Sequence, residues 1–171
     1  MKLVAFLSKQ NISRVFVFQS INKLDINHIE YIKNHFNNVF FPTWYSHQKK
    51  IFPDLVILNS HFIIISTNSL SISGCGIDAL TREIKKIALD LGIDLLNRLQ
   101  IPFCNMEIEK KSILEIDRID VKFLPYSNFI KQIKTSNKYN NIFVFNINIT
   151  TSDQSWIIPI DNWKKLYCKE K

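Results

Sequence analysis

Leu55-Val56-Ile57-Leu58-Asn59-Ser60-His61-Phe62-Ile63-Ile64-Ile65 is the stretch that decides the fold. Two apolar, β-branched runs flank the turn-forming triplet Asn59-Ser60-His61, the pattern of a hairpin with buried strands. Upstream, Arg14-Val15-Phe16-Val17-Phe18-Gln19 reads as a further strand. Asp25 then caps a helix whose apolar residues Ile26, Ile29, Ile32, Phe36 and Val39 recur near the helical period, and Pro42 ends it. Downstream, Ile77, Leu80, Ile84, Ile87, Ala88 and Leu91 form the apolar stripe of a second helix, with Arg82, Glu83, Lys85, Lys86 and Asp90 mostly outward. Gly92 sits where a left-handed residue closes that helix, and Ile93 supplies the accompanying apolar contact. Strand, helix, strand, strand, helix implies an α+β fold: an antiparallel or mixed sheet with helices packed on it.

The second half is less regular. A short helix is expected over Asp94 to Leu99, stopped before Pro102. Strands are expected over Arg118 to Leu124 and Asn141 to Ile149, with a helix near Ser127 to Lys134 between them. Thr135-Ser136-Asn137-Lys138 reads as a surface loop. Trp156, Trp163 and Tyr167 make the tail too aromatic for a disordered end. The opening Met1 to Leu7 reads as a first strand or a loose arm. With no repeat and no linker, residues 1–171 are expected to form a single α+β domain.

Composition narrows the class. Hydrophobic residues make up 46% and charged residues 22%, an ordinary globular balance that argues against disorder. The apolar runs are too short to cross a membrane, and the first residues lack the length of a secretory signal. Cys75, Cys104 and Cys168 lie far apart with no C-x-x-C pair, so reduced thiols in a cytoplasm are expected, with neither a zinc ribbon nor a disulfide framework. The net charge of +7 is carried almost wholly by lysine. Only Arg14, Arg82, Arg98 and Arg118 offer the planar fork that base contacts favour. Abundant Ile, Asn, Phe and Lys match AT-rich codons, so base composition accounts for much of the basicity.

Missing motifs exclude several activities. Of the three glycines, Gly74, Gly76 and Gly92, none is followed by lysine, so no phosphate-binding G-x-x-x-x-G-K-[ST] loop exists. Gly74 and Gly76 begin a G-x-G-x-x-G pattern that Ala79 completes in place of glycine, without the parallel order a dinucleotide fold wants. G-x-S-x-G and H-E-x-x-H are missing as well.

One constellation bears chemistry. Ser73-Gly74-Cys75-Gly76-Ile77-Asp78 follows the hairpin and opens a helix, where free amides attract anions and lower a thiol's pKa. Cys75 is the candidate nucleophile, His47 the candidate base, and Asp78 an orienting group or the helix cap. The alternative is structural: a buried cysteine in a tight turn capped by Asp78, with Trp44 as a packing anchor and His47 bonded to a backbone carbonyl. No ligand spacing joins His47, Cys75 and Asp78 into a metal site. Trp156, Trp163 and Tyr167 among Lys164, Lys165 and Lys169 either stack on bases or dock the tail on the core. His28 and His35 are read as surface or boundary residues of the first helix.

These elements, in this order, resemble a family of Bacteroidota proteins with no established activity that is often catalogued as "ABC transporter ATPase". The likeness rests on the R-V-x-V-x-Q strand ending at Gln19, the W-x-x-H element Trp44 to His47, and S-G-C-S-I-D, where this chain has Gly76 for serine. It continues through Ile93-Asp94-Leu95-Leu96-Asn97-Arg98-Leu99 and Val144-Phe145-Asn146. The resemblance covers most of the chain and implies candidate binding residues at Trp44, Ser73, Gly74, Gly76 and Asn146. Without a Walker loop the label implies no ATP hydrolysis. The expected role is a cytoplasmic binding or accessory module. A Cys75-dependent enzyme is the second reading and a weak RNA binder the third; no cofactor or partner is specified.

Overall fold

A computed structural model describes residues 1–7, 12–105, 118–135 and 141–168. Its first part runs β1 (Val15–Gln19), α1 (Ile26–His35), β2 (Tyr45–Ser46), β3 (Lys49–Lys50), β4 (Asp54–Leu58), β5 (Phe62–Ser66) and α2 (Gly74–Leu91). Its second part runs β6 (Gln100–Asn105), β7 (Lys122–Pro125), α3 (Tyr126–Thr135), β8 (Ile142–Phe145), β9 (Ile157–Pro159) and α4 (Ile160–Tyr167).

The hairpin forms as read. Leu58 pairs with Phe62, Asn59 and Ser60 both adopt φ of +54°, and the His61 N–H donates to the Leu58 carbonyl at 3.0 Å. This mirror-image turn matches the natural twist of the strands it joins. β5 lies between β1 and β4 in one sheet, a second sheet runs β7-β6-β8-β9, and every described pairing is antiparallel. The fold is α+β with antiparallel sheets.

Period-two alternation sets the layers. Val15, Val17, Phe62 and Ile64 leave one face of the first sheet, while Phe18, Ile63 and Ile65 leave the other. In the second sheet Cys104, Phe143, Phe145 and Ile157 share the first of these cores, and Phe103, Ile142, Val144 and Ile158 form another. The two sheets therefore meet face to face. α1 and α2 cover the outer side of the first through Ile32, Leu80, Ile84 and Ile87, and α3 and α4 cover the second through Phe129, Ile133, Ile160 and Trp163. At the centre, the Phe62 ring lies 5.0 Å from Phe145 and 5.3 Å from Trp156, ring contacts that bind the sheets together. Each fully buried side chain of this size stabilises the fold by roughly 1.5–3 kcal/mol.

Both helix caps are made by local chemistry. The Asp25 carboxylate accepts from the His28 N–H at 2.8 Å, and Gly92 closes α2 at φ +65° with the Ile93 N–H donating to the Ala88 carbonyl at 2.9 Å. His28 completes the Asp25 cap, whereas His35 is buried and bonds Glu83 of α2 at 2.7 Å.

Elsewhere tertiary context overrides the local pattern. α1 passes into a π turn over Phe36–Phe40 and a 3-10 turn over Phe41–Thr43, which admits Pro42 near its start. The extra residue of the π turn rotates the chain, so Phe36, Phe40 and Phe41 are buried while Val39 is 53% exposed. The segment from Asp94 to Leu99 is not a helix. The Asp94 carboxylate accepts from the Leu96 N–H and the Asn97 amide from the Leu99 N–H, each at 3.0 Å, side-chain turns that compete with helix bonds. Pro102 lies inside β6, opposite Phe123, because β8 begins to pair only at Phe103. Strand structure covers Lys122–Pro125 and Ile142–Phe145, shorter than the patterns suggest, although Ile119, Val121, Ile147 and Ile149 are still buried.

The opening segment is neither strand nor loose arm. It makes a 3-10 turn over Leu3–Phe6, buries Leu3, and accepts the Trp156 N–H on the Met1 carbonyl at 2.8 Å. The tail docks through Trp156 and Trp163 and adds β9 and α4. Of the loop expected over Thr135 to Lys138, Thr135 is instead the last residue of α3, and residues 136–138 lie outside the described residues. No helix among the described residues is long and apolar enough to cross a membrane.

Candidate functional site

Folding brings the W-x-x-H and S-G-C-G segments to one corner. Ser73 is the cap of α2, its hydroxyl accepting the Gly76 N–H at 3.1 Å. Asp78 is not the cap: it stands exposed, already inside the helix, because the earlier oxygen reaches the first free amides. The Ser46 hydroxyl accepts the Ser73 N–H at 2.8 Å, and the buried Trp44 indole N–H donates to the Gly76 carbonyl at 2.9 Å. Neither Gly74 nor Gly76 has a positive φ. Gly76 sits at a close approach: a Cβ there would lie 3.0 Å from Ile72 Cγ2 and 3.3 Å from the Tyr45 carbonyl, whereas one on Gly74 meets nothing within 4 Å.

The reactive groups of this corner stand apart. Cys75 is exposed on the first turn of α2 and is not the buried thiol of the structural alternative. His47 is also exposed, at φ +48° in the turn joining β2 to β3, beside Gln48 at φ +63°. Among the described residues it bonds no carbonyl; its neighbours Trp44 and Ser46 make the connections to α2. Among the described residues no hydrogen bond links Cys75, His47 and Asp78, and no group of three or more His, Cys, Asp or Glu is placed to hold a metal ion. Cys104 is sealed in the core, where burial pushes its thiol up to about 12.

Asn146 belongs to a different place. It lies just past β8 and lines a half-open groove of about 120 Å³, together with Arg98, Tyr126, Asn148, Trp163 and Tyr167. Its backbone N–H donates to the Trp156 carbonyl at 2.6 Å. Its side-chain Oδ1 accepts the Tyr167 hydroxyl at 2.8 Å and the Asn148 N–H at 3.2 Å. Arg98 donates to Asn148 Oδ1 and to the Val17 carbonyl, each at 3.3 Å. Gln19 fixes the Arg98 segment, donating to the Asn97 carbonyl at 2.6 Å and the Gln100 carbonyl at 3.0 Å. Partial burial, then the neighbouring Cys168 thiol, raise the Tyr126 phenol above its ordinary range and keep it protonated at neutral pH.

Two of the motifs thus reach this groove, through Arg98 and Asn146, and a third braces its rim through Gln19. Tyr126 and Asn148 gave no signal in the sequence. Trp163 and Tyr167 were visible as an aromatic tail, without a sign of the cavity they wall. Compared with family models, curated proteins and solved structures, the chain matches none.

Proposed function

We propose that the chain is a cytoplasmic binding module that takes its ligand in the groove between Arg98 and Asn146, and that it neither hydrolyses ATP nor carries out thiol chemistry. The observation that carries this reading is Asn146. Its residue surface is 7% exposed, its oxygen holds two internal donors, and it lines a cavity beside an arginine. A concave site with few, fixed polar groups and aromatic walls is what small ligands use. The α2 corner lacks that form, since Trp44, Ser46 and Ser73 spend their polar groups on internal bonds. Free, widely separated cysteines support the compartment, and glycines without a following lysine support the exclusion of a P-loop.

A screen of small fragments against the full chain by 1H–15N spectra tests the reading. Hits are expected to converge on the Trp163 indole and the Asn146 side-chain amide. Hits confined to the α2 corner, or turnover abolished by Cys75→Ser, would overturn it. The exposure of Cys75 on the first turn of α2 favours the thiol enzyme as the second reading.

A further inference from the structure

We infer that the groove selects a carboxylate borne on a small planar apolar body, with the Arg98 guanidinium and the Asn146 amide as the anion-binding donors. The inference rests on the binding reading above and names its ligand class.

The polar groups of the groove are unequally used. Both side-chain oxygens are occupied: Asn146 Oδ1 by Tyr167 and Asn148, and Asn148 Oδ1 by Arg98. These bonds orient the Asn146 carboxamide and leave its Nδ2 donor without an acceptor among the described residues. Arg98 is in a similar state. Its two bonds, at 3.3 Å to neutral oxygens, are long for a guanidinium. The ion pairs among the described residues are His28–Asp25, His35–Glu83 and Lys164–Asp161, so no described carboxylate pairs with Arg98, which stands exposed at the rim of the groove. A positive charge and a free amide donor at one cavity ask for an acceptor with negative charge.

Size and lining specify the rest. A dry cavity of about 150 Å³ accommodates benzene, so about 120 Å³ holds roughly one ring. Trp163, Tyr126 and Pro102 give that ring flat apolar walls. One guanidinium and one amide match the two oxygens of a carboxylate, whereas a phosphate group carries more charge and three acceptor oxygens to satisfy.

The test titrates the full chain with benzoate, benzamide, inorganic phosphate and N-acetylphenylalanine, reading Trp163 and Asn146 signals in 1H–15N spectra. Benzoate is expected to saturate with a dissociation constant of about 1 mM or tighter, within reach of a ligand this small. Benzamide, equal in shape but uncharged, is expected to bind at least tenfold more weakly. Arg98→Gln is expected to erase the preference for benzoate over benzamide. Tighter binding of N-acetylphenylalanine than of benzoate supports the inference and identifies the carboxylate's source as a chain end. Equal binding of benzamide and benzoate by the unaltered chain overturns the carboxylate class while sparing the groove as a ligand site. Displacement of benzoate by phosphate at comparable concentration overturns it too. No saturable shift at the groove with any probe overturns both the ligand class and the binding reading.

Discussion

The corner at the start of α2 and the groove beside Asn146 spend similar polar residues in opposite ways. At the corner, an indole, two serine hydroxyls and a close-packed glycine are bonded to one another, and the reactive groups Cys75, His47 and Asp78 stand outside that network. In the groove the acceptors are taken and the donors left over, around a volume that chain atoms do not fill. A dense motif can therefore mark a joint between elements, while scattered residues make the receptive surface. Perturbing the corner should cost stability, and perturbing the groove should cost binding.

The largest effect should follow removal of Trp44, whose ring lies 5.2 Å from Phe40 and 6.1 Å from Phe41 and whose N–H holds Gly76. Trp44→Ala is expected to lower stability by about 3–5 kcal/mol in urea unfolding, the usual cost of deleting a large aromatic from a core. Trp44→Phe keeps most of the ring and removes only the indole's bond to the Gly76 carbonyl, which as a carbonyl of α2 keeps its helix partner, at a cost of about 0.5–1.5 kcal/mol. A loss within error for Trp44→Ala would break the comparison, since the corner would then be no joint.

A second effect belongs to a histidine of the core, outside both regions. Buried His61 has its pKa lowered, mainly by burial, and its Nδ1 lies 2.8 Å from the Ser20 carbonyl. The unfolded chain therefore binds the proton first. His61 leaves stability intact above about pH 6.5 and reduces it as pH falls from there towards the depressed folded value, by at most about 1.4 kcal/mol per pH unit. Urea midpoints measured from pH 7.5 to pH 5 should show this slope and lose most of it in His61→Phe. A slope unchanged in His61→Phe would mean that the buried imidazole is not what couples this core to pH.

The glycines of α2 should respond with opposite signs. Gly76→Ala brings a Cβ against Ile72 and the Tyr45 carbonyl and should cost about 1 kcal/mol, an overpacking penalty partly offset by helix propensity. Gly74→Ala meets open space at an ordinary helical φ and should gain up to about 1 kcal/mol. Thermal melts of both variants decide it; equal shifts would mean that Gly76 is not a contact point.

What could be read beforehand was local. The β4–β5 hairpin, the Asp25 cap and the Gly92 terminus each follow from neighbouring residues, so pattern and structure agree. Ser73 and Asp78 are both capping residues, and only the start of regular structure at Gly74 decides between them. β6 escaped because Pro102 reads as a breaker, and its strand character comes from β7 and β8, distant in sequence. The groove escaped for the same reason. Arg98, Tyr126, Asn146 and Tyr167 follow no spacing rule, and the layering of α3, α4 and the second sheet puts them together.

The smallest expected change in stability is at Cys75, and there the two regions are separated most cleanly. An exposed thiol with no hydrogen bond to His47 or Asp78 contributes little to folding, so Cys75→Ser should shift stability by less than about 0.5 kcal/mol. Its accessibility should still show in alkylation. Iodoacetamide at neutral pH is expected to modify Cys75 first, then half-buried Cys168, and Cys104 only on unfolding, because burial and a thiol pushed up to about 12 remove the reactive thiolate. Mass spectrometry of timed digests gives the order. If Cys75 merely leads by exposure, alkylation should leave benzoate binding in the groove unchanged. Loss of that binding on alkylation, or a Cys75 modified no faster than Cys168, would break the separation of the two regions.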